Sequence, residues 1–259
     1  MIKAGIVGMG VIGQHIAKAI DNGIPGVTLA GVSVRTATTA GGFAAYSLDD
    51  LIRKADLIVE AATQAALLDF GPAVLTAGKH LMVLSVGGLV GVLDEWARLA
   101  ERHGCRILVP SGAIAGLDGM KGAREGAITA VTMETRKPPR GLAGAPWIEE
   151  QRIDLDAITG ETLHLRGSGR ARGQGLPRQR ERGGRAVARG HRPRAHAHQD
   201  LRRAGPGAEP APDHHRGEFG RLRIEIENVP SDNPRTGKLS YLSAIAMLRE
   251  LGTPVRVGS

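Results

Sequence analysis

Gly8-Met9-Gly10-Val11-Ile12-Gly13 constrains this chain more than any other stretch. An apolar run, Ala4-Gly5-Ile6-Val7, precedes it and has the character of a buried strand. Gln14 to Ile20 follows with apolar residues at helical spacing. A G-x-G-x-x-G carries meaning only between a strand and a helix, and both flanks are present here. The first glycine permits a tight turn, the second lets the backbone approach a pyrophosphate, and the third lets helix and strand pack closely. The first amides of that helix, at Val11, Ile12 and Gly13, then offer free N–H groups and a positive dipole end to phosphates. The spacing predicts a dinucleotide site at Gly8, Gly10, Val11, Ile12 and Gly13. The alternative is a glycine-rich turn that binds nothing.

Downstream, residues 1–110 alternate apolar strands with helical patterns, the rhythm of a parallel α/β sheet of the Rossmann, doubly wound kind. Thr28 to Val34 reads as the second strand. An acid near its end would suit the ribose 2′-OH of NAD, but Arg35 stands there, and a guanidinium suits the 2′-phosphate of NADP. Arg35 as a solvent-facing side chain is the other reading. Asp49-Asp50-Leu51 opens a helix. Leu57 to Glu60 is a strand running into Ala61-Ala62-Thr63, small residues that leave room for a ligand at the crevice of the sheet, so Ala62 joins the candidate cofactor residues. Leu67 to Ala77 is a helix, His80 to Val86 a strand, Val92 to His103 an amphipathic helix ended by Gly104, and Arg106 to Pro110 a strand. Leu117 to Arg124 is a further helix. Ile128 to Thr135 begins a second, α+β domain. Arg136-Lys137-Pro138-Pro139 ends that strand, either as a grip for a dicarboxylate or as a solvated terminus. Arg221 to Glu227 alternates as a strand, and Leu239 to Leu251 is an apolar-faced helix expected to return to the first domain. The domains expected are 1–110 plus 235–259 for the dinucleotide, and 111–234 for substrate and dimerisation.

These residues resemble the L-aspartate dehydrogenases. The resemblance is carried by the glycine loop, Ser85-Val86-Gly87, Ser111-Gly112-Ala113-Ile114-Ala115-Gly116-Leu117-Asp118, Thr135 to Pro139, Thr159-Gly160-Glu161-Thr162, and the tail from Gly217 through Asn233-Pro234-x-Thr236. It covers residues 1 to about 165 and 217 to 259. It implies oxidative deamination of L-aspartate to iminoaspartate, then oxaloacetate and ammonia, with NAD or NADP. It also implies a homodimer and a role in making nicotinamide cofactor. Ala113 matches a position at which the family contacts its cofactor.

Residues 166–216 depart from that pattern. They hold 13 Arg, nine Gly, eight Ala and five Pro, with Leu176, Val187 and Leu201 as the sizeable apolar residues. The segment carries a net +9, so the remainder of this chain of net charge +8 is close to neutral. Composition predicts a polybasic segment without a cooperative fold, and hence a disrupted second domain. A second explanation is a shifted reading frame. With freely chosen wobble bases, Gly173 to Ala195 read one base later gives VKGFPANVNVAAALSLAGIGPER, resembling what the family carries after its Gly-Ser turn (Gly167-Ser168 here). Glu209 to Pro212 likewise gives N-P-H, where the family's catalytic histidine is expected. Two compensating slips, near Ser168–Gly173 and near His215–Gly217, account for the whole stretch. The histidine would span the codons of Ala211 and Pro212, and a cofactor-holding asparagine those of Glu181 and Arg182.

No residue of the chain as written is therefore assigned as catalytic. Histidine suits the missing role because its pKa lies near neutrality. His214 and His215 lie close in sequence to Ala211 without being placed for it. His191, His196 and His198 lack neighbouring Cys or acids, so no metal site is expected. The basic segment has no aromatics to stack bases, which argues against nucleic acid as a partner. No apolar stretch approaches the roughly 20 residues of a membrane span, and the N-terminal run reads as a strand, not a signal peptide. Single Cys105 fits a reducing cytoplasm. The competing function class is a non-catalytic dinucleotide-binding protein.

Overall fold

The computed structural model describes residues 1–35, 40–137, 146–158, 163–168, 197–203, 213–226 and 237–257. They fall into two compact units, Met1–Ile114 with Asn228–Gly258, and Ala115–Glu227.

In the first unit β1 (Ile2–Val7), β2 (Val27–Ser33), β3 (Leu57–Glu60), β4 (His80–Val83) and β5 (Ile107–Leu108) form one sheet in the order β2-β1-β3-β4-β5. Every pairing is parallel. Helices α1 (Val11–Asp21), α2 (Leu48–Lys54), α3 (Gln64–Thr76), α4 (Leu93–Arg102) and α7 (Leu239–Leu251) cover it. Side chains alternate across a strand, and here the alternation feeds two separate cores. Ala4 and Ile6 of β1, Leu57 and Val59 of β3, and Met82 of β4 pack with Ile16, Ala17 and Ile20 of α1 and Tyr241, Ala244 and Leu248 of α7. Val7, Ile58, Leu81 and Val83 pack the other way, with Leu51, Leu67, Phe70, Val74, Leu75 and Trp96 of α2, α3 and α4. A sheet buried on both faces needs near-continuous apolar strands, which is why β3 reads Leu-Ile-Val before its final acid. The α/β, doubly wound class expected from the sequence is the one observed.

The last helix, α7, packs against α1. His15 and Tyr241 stack with ring centroids 4.1 Å apart and 7° between planes. Ser47 caps α2, accepting from the Asp50 N–H at 3.1 Å. The Ser47 hydroxyl, and after it the Arg53 guanidinium, hold the Asp50 carboxyl below its ordinary range.

Several boundaries differ from the sequence expectation. Helix α3 begins at Gln64, because the Thr63 hydroxyl accepts from the Ala66 N–H at 3.2 Å and recruits the Gln64-Ala65-Ala66 turn. Strand β4 stops at Val83, and Val86–Leu89 is a 3-10 turn. Strand β5 is two residues long, paired to β4 through Ile107 and Leu108.

In the second unit β6 (Ile128–Lys137), β7 (Leu163–Ser168), β8 (Ala197–Arg203), β9 (Asp213–Gly217) and β10 (Gly220–Ile224) form a sheet ordered β10-β9-β6-β8-β7. Helices α5 (Leu117–Ala123) and α6 (Pro146–Glu150) belong to it. Strand β6 extends past Thr135 through Arg136 and Lys137, pairing in parallel with β8 and antiparallel with β9. Composition predicts no cooperative structure over 166–216, yet 166–168, 197–203 and 213–216 lie in strands. Backbone pairing asks for no apolar side chains, whereas the composition argument concerns a face that could be buried. The rest of that segment, with Ala211-Pro212 and Glu181-Arg182, lies outside the described residues, as do Pro138-Pro139, Thr159 to Thr162 and Asn228 to Thr236.

Candidate cofactor site

The chain leaves β1 to the β2 side, then crosses back over β1 to add β3. That reversal places a crevice beyond the C-terminal ends of β1 and β3, the position at which open α/β sheets take their ligands. The glycine loop leaves β1 there. Gly8 has φ +93°, a conformation that side chains rarely adopt. A Cβ on Gly8 would lie 2.6 Å from the Ala61 carbonyl oxygen and 2.9 Å from the Ala62 Cα, so the loop rests directly on the peptide that follows β3. A Cβ on Gly13 would lie 2.0 Å from the Gly8 carbonyl oxygen, so only glycine lets α1 start this close to the strand. A Cβ on Gly10 would meet no protein atom within 4 Å. Two of the three glycines are thus required by the protein's own packing, and the third leaves its surroundings open for a ligand to approach the backbone.

Gly10 is the N-cap of α1 in extended conformation, with no side-chain cap hydrogen bond and no acid in the first turn. The first amides of a helix have no partner within it, and in α1 these are the amides of Val11, Ile12 and Gly13. The Gln14 side-chain amide donates to the Met9 carbonyl at 3.1 Å, closing the far side of the loop. The Gly8 N–H donates to Ser33 O at 3.0 Å, and Ala61 N–H to Val7 O at 2.8 Å. These bonds tie the ends of β2, β1 and β3 into one rim. Arg35 is exposed two residues past β2. Ala62 is exposed beside the glycine loop. Ala113 is half-buried in the turn after β5, where Ile114 N–H donates to Ser111 O at 3.1 Å. The structure therefore packs Gly8, Gly13 and Ala62 together, sets Arg35 at the adjoining strand end, and sets Ala113 beyond the edge strand of the same sheet.

Sequence reasoning passed over Glu60. It is fully buried, at 0% exposure. Its Oε1 accepts from Ala62 N–H at 2.8 Å and from the Ser85 hydroxyl at 2.9 Å. Its Oε2 accepts from Leu84 N–H at 3.2 Å and Ser85 N–H at 2.8 Å. The signal available was an acid closing an otherwise apolar central strand, Leu57-Ile58-Val59-Glu60, just before the small residues of the crevice. Among the described residues no group of three or more His, Cys, Asp or Glu is placed to hold a metal ion, and no helix is long and apolar enough to cross a membrane.

Comparison with known proteins gives a consistent picture. The family model described as homoserine dehydrogenase, NAD binding domain, matches residues 8–110. The one described as aspartate dehydrogenase, C-terminal, matches residues 118–179. An L-aspartate dehydrogenase of Methanosarcina barkeri is 34% identical over 286 positions, covering 100% of both chains. An L-aspartate dehydrogenase 3 of Bordetella bronchiseptica is 35% identical, covering 98% of this chain and 96% of its own. Among solved structures, the aspartate dehydrogenase of Thermotoga maritima shares the fold with a TM-score of 0.70 at 16% identity, over 100% of each chain.

Proposed function

Because this chain belongs to the L-aspartate dehydrogenase family, we propose that its gene specifies NAD(P)-dependent oxidative deamination of L-aspartate, in a cytoplasmic homodimer that serves the making of nicotinamide cofactor. In the first half-reaction L-aspartate loses a hydride from Cα and a proton from its ammonium group to become iminoaspartate. Water then adds to the imine carbon, and loss of ammonia leaves oxaloacetate. A nicotinamide held at this site would supply the hydride acceptor.

The observation that carries the reading is the glycine loop, whose Gly8 and Gly13 are demanded sterically while Gly10 faces open space. The residues fit the group. Backbone amides at Val11, Ile12 and Gly13 would take the pyrophosphate, and Ala62 would leave room beside it. Arg35 would meet a 2′-phosphate as a charge-assisted pair. Ala113 would contact the cofactor from the β5 side. The Ala115–Glu227 unit would supply substrate and dimer contacts.

A second reading concerns the chain as written, and one observation favours it. The arginine-rich segment contains no counterpart of the family's asparagine and histidine, and the C-terminal family match stops at residue 179, inside that segment. On this reading two compensating frame slips, near codons 168–173 and 215–217, leave a dinucleotide-binding protein without its base. Removing a general acid–base group costs about 10²–10⁴ in rate, and lost substrate positioning adds to that. The test is to express the gene as written and with the frame restored between those codons, and to follow aspartate-dependent NAD(P)H formation. The restored chain should turn over aspartate, the written one at a negligible rate. Changing the recovered histidine to alanine should abolish most of the recovered activity. Equal rates from the two chains would refute the frame-slip reading, and inactivity of both would refute the dehydrogenase reading.

A further inference from the structure

A buried carboxylate is a poor choice for stability alone. Desolvating one costs several kcal/mol, recovered only when its oxygens are fully bonded, and an aliphatic residue such as Leu57 or Val59 would fill the strand end without that cost. Glu60 has its bonds, and their origin is informative. Three of the four donors are backbone N–H groups of Ala62, Leu84 and Ser85, and the fourth is the Ser85 hydroxyl. All lie just beyond the ends of β3 and β4, where the ladder between the two strands finishes at Glu60 and Val83. One side chain thus continues the connection between neighbouring strands after the sheet has ended.

What it holds is the floor of the glycine loop. Ala62 N–H, fixed by Oε1, belongs to the Ala61–Ala62 peptide, and Gly8 sits against that peptide at a distance no Cβ would tolerate. Gly13 in turn sits against the Gly8 carbonyl. The path from the carboxylate to the first turn of α1 is a chain of direct backbone contacts.

We propose that Glu60 is a positioning residue of the cofactor site, a buried clamp that joins the 61–62 and 84–85 loops behind the glycine loop and so sets dinucleotide affinity without touching the dinucleotide. This rests on the dinucleotide reading of Gly8–Gly13. Glu60→Gln keeps the size of the side chain but turns an NH₂ group against backbone donors. The measurement is the Kd of NADH and NADPH for the full chain, by fluorescence titration, alongside thermal unfolding. Loss of a hydrogen bond to a charged group predicts a Kd about tenfold higher or more in Glu60→Gln. Leu248→Ala removes a buried side chain from the same unit on α7, away from the clamp. Studied where it remains folded, it should bind as the unsubstituted chain does, which separates positioning from general destabilisation. If Glu60→Gln does not fold, Ser85→Ala removes one of the four donors and should raise Kd about threefold. Unchanged Kd in the folded Glu60 or Ser85 variant, or equal weakening by Leu248→Ala, overturns this inference alone. No binding by the unsubstituted chain overturns the dinucleotide reading, and this inference with it.

Discussion

Arg35 is where a single side chain has the sharpest consequence. It is exposed just past β2, on the rim that Gly8 joins through Ser33. On the proposed cofactor reading its guanidinium would favour a 2′-phosphate. Arg35→Asp should weaken NADP binding by about 1–3 kcal/mol, the range of a lost charge-assisted hydrogen bond, and leave NAD within a few tenths of that scale. Calorimetric titration with each dinucleotide checks this, and equal losses would assign Arg35 to solvent. At this scale the sequence was readable wherever a residue type has one steric use. Gly8 and Gly13 announce themselves because no other residue fits a positive φ or a 2.0 Å approach. Glu60 did not, because an acid at a strand end usually marks the point where the strand meets water. Its four donors come from residues up to 25 positions away, and only the pairing of β3 with β4 brings them to it.

Helix α7 shows what the pattern of a whole element conveys. Its bounds, Leu239–Leu251, coincide with the apolar periodicity of the sequence. Tyr241, Ala244 and Leu248, at spacings of three and four residues, form the buried face. Leu248→Ala should cost about 2–5 kcal/mol, the usual range for a leucine deleted from a closed core. Urea unfolding of the two chains measures it, and a loss below 1 kcal/mol would mean that α7 is not part of the cooperative unit. Elements whose identity comes from hydrogen-bond partners were far less legible. β8 reads Ala-His-Gln-Asp-Leu-Arg-Arg and β9 reads Asp-His-His-Arg-Gly. Neither alternates, so nothing in their composition distinguishes a strand from a coil. The start of α3 was hidden for a related reason, since a capping hydroxyl, not an apolar stripe, sets it at Gln64.

The whole molecule contains one reporter of its own opening. Cys105, 7% exposed, packs with α3 and α4. Its thiol lies 3.5 Å from the Leu75 carbonyl oxygen, and burial pushes its pKa up. Thiolate is the reactive form, so a disulfide reagent should label the native protein about a thousandfold more slowly than the urea-unfolded chain. NADH at about 100 times its Kd should slow labelling by roughly a further hundredfold if the dinucleotide binds the first unit. Immediate labelling of the native chain would place Cys105 in a segment that opens independently. The first unit is also assembled from both ends of the chain, Met1–Ile114 and Asn228–Gly258. On a ribosome, α1 therefore waits on the order of ten seconds, at about 5–20 residues per second, before α7 emerges to cover Ile16 and Ile20. The final helix then works as a check on everything translated before it. A message that loses its reading frame after codon 114, and does not regain it by codon 239, yields a chain whose α1 face lacks Tyr241, Ala244 and Leu248 and is open to proteolysis.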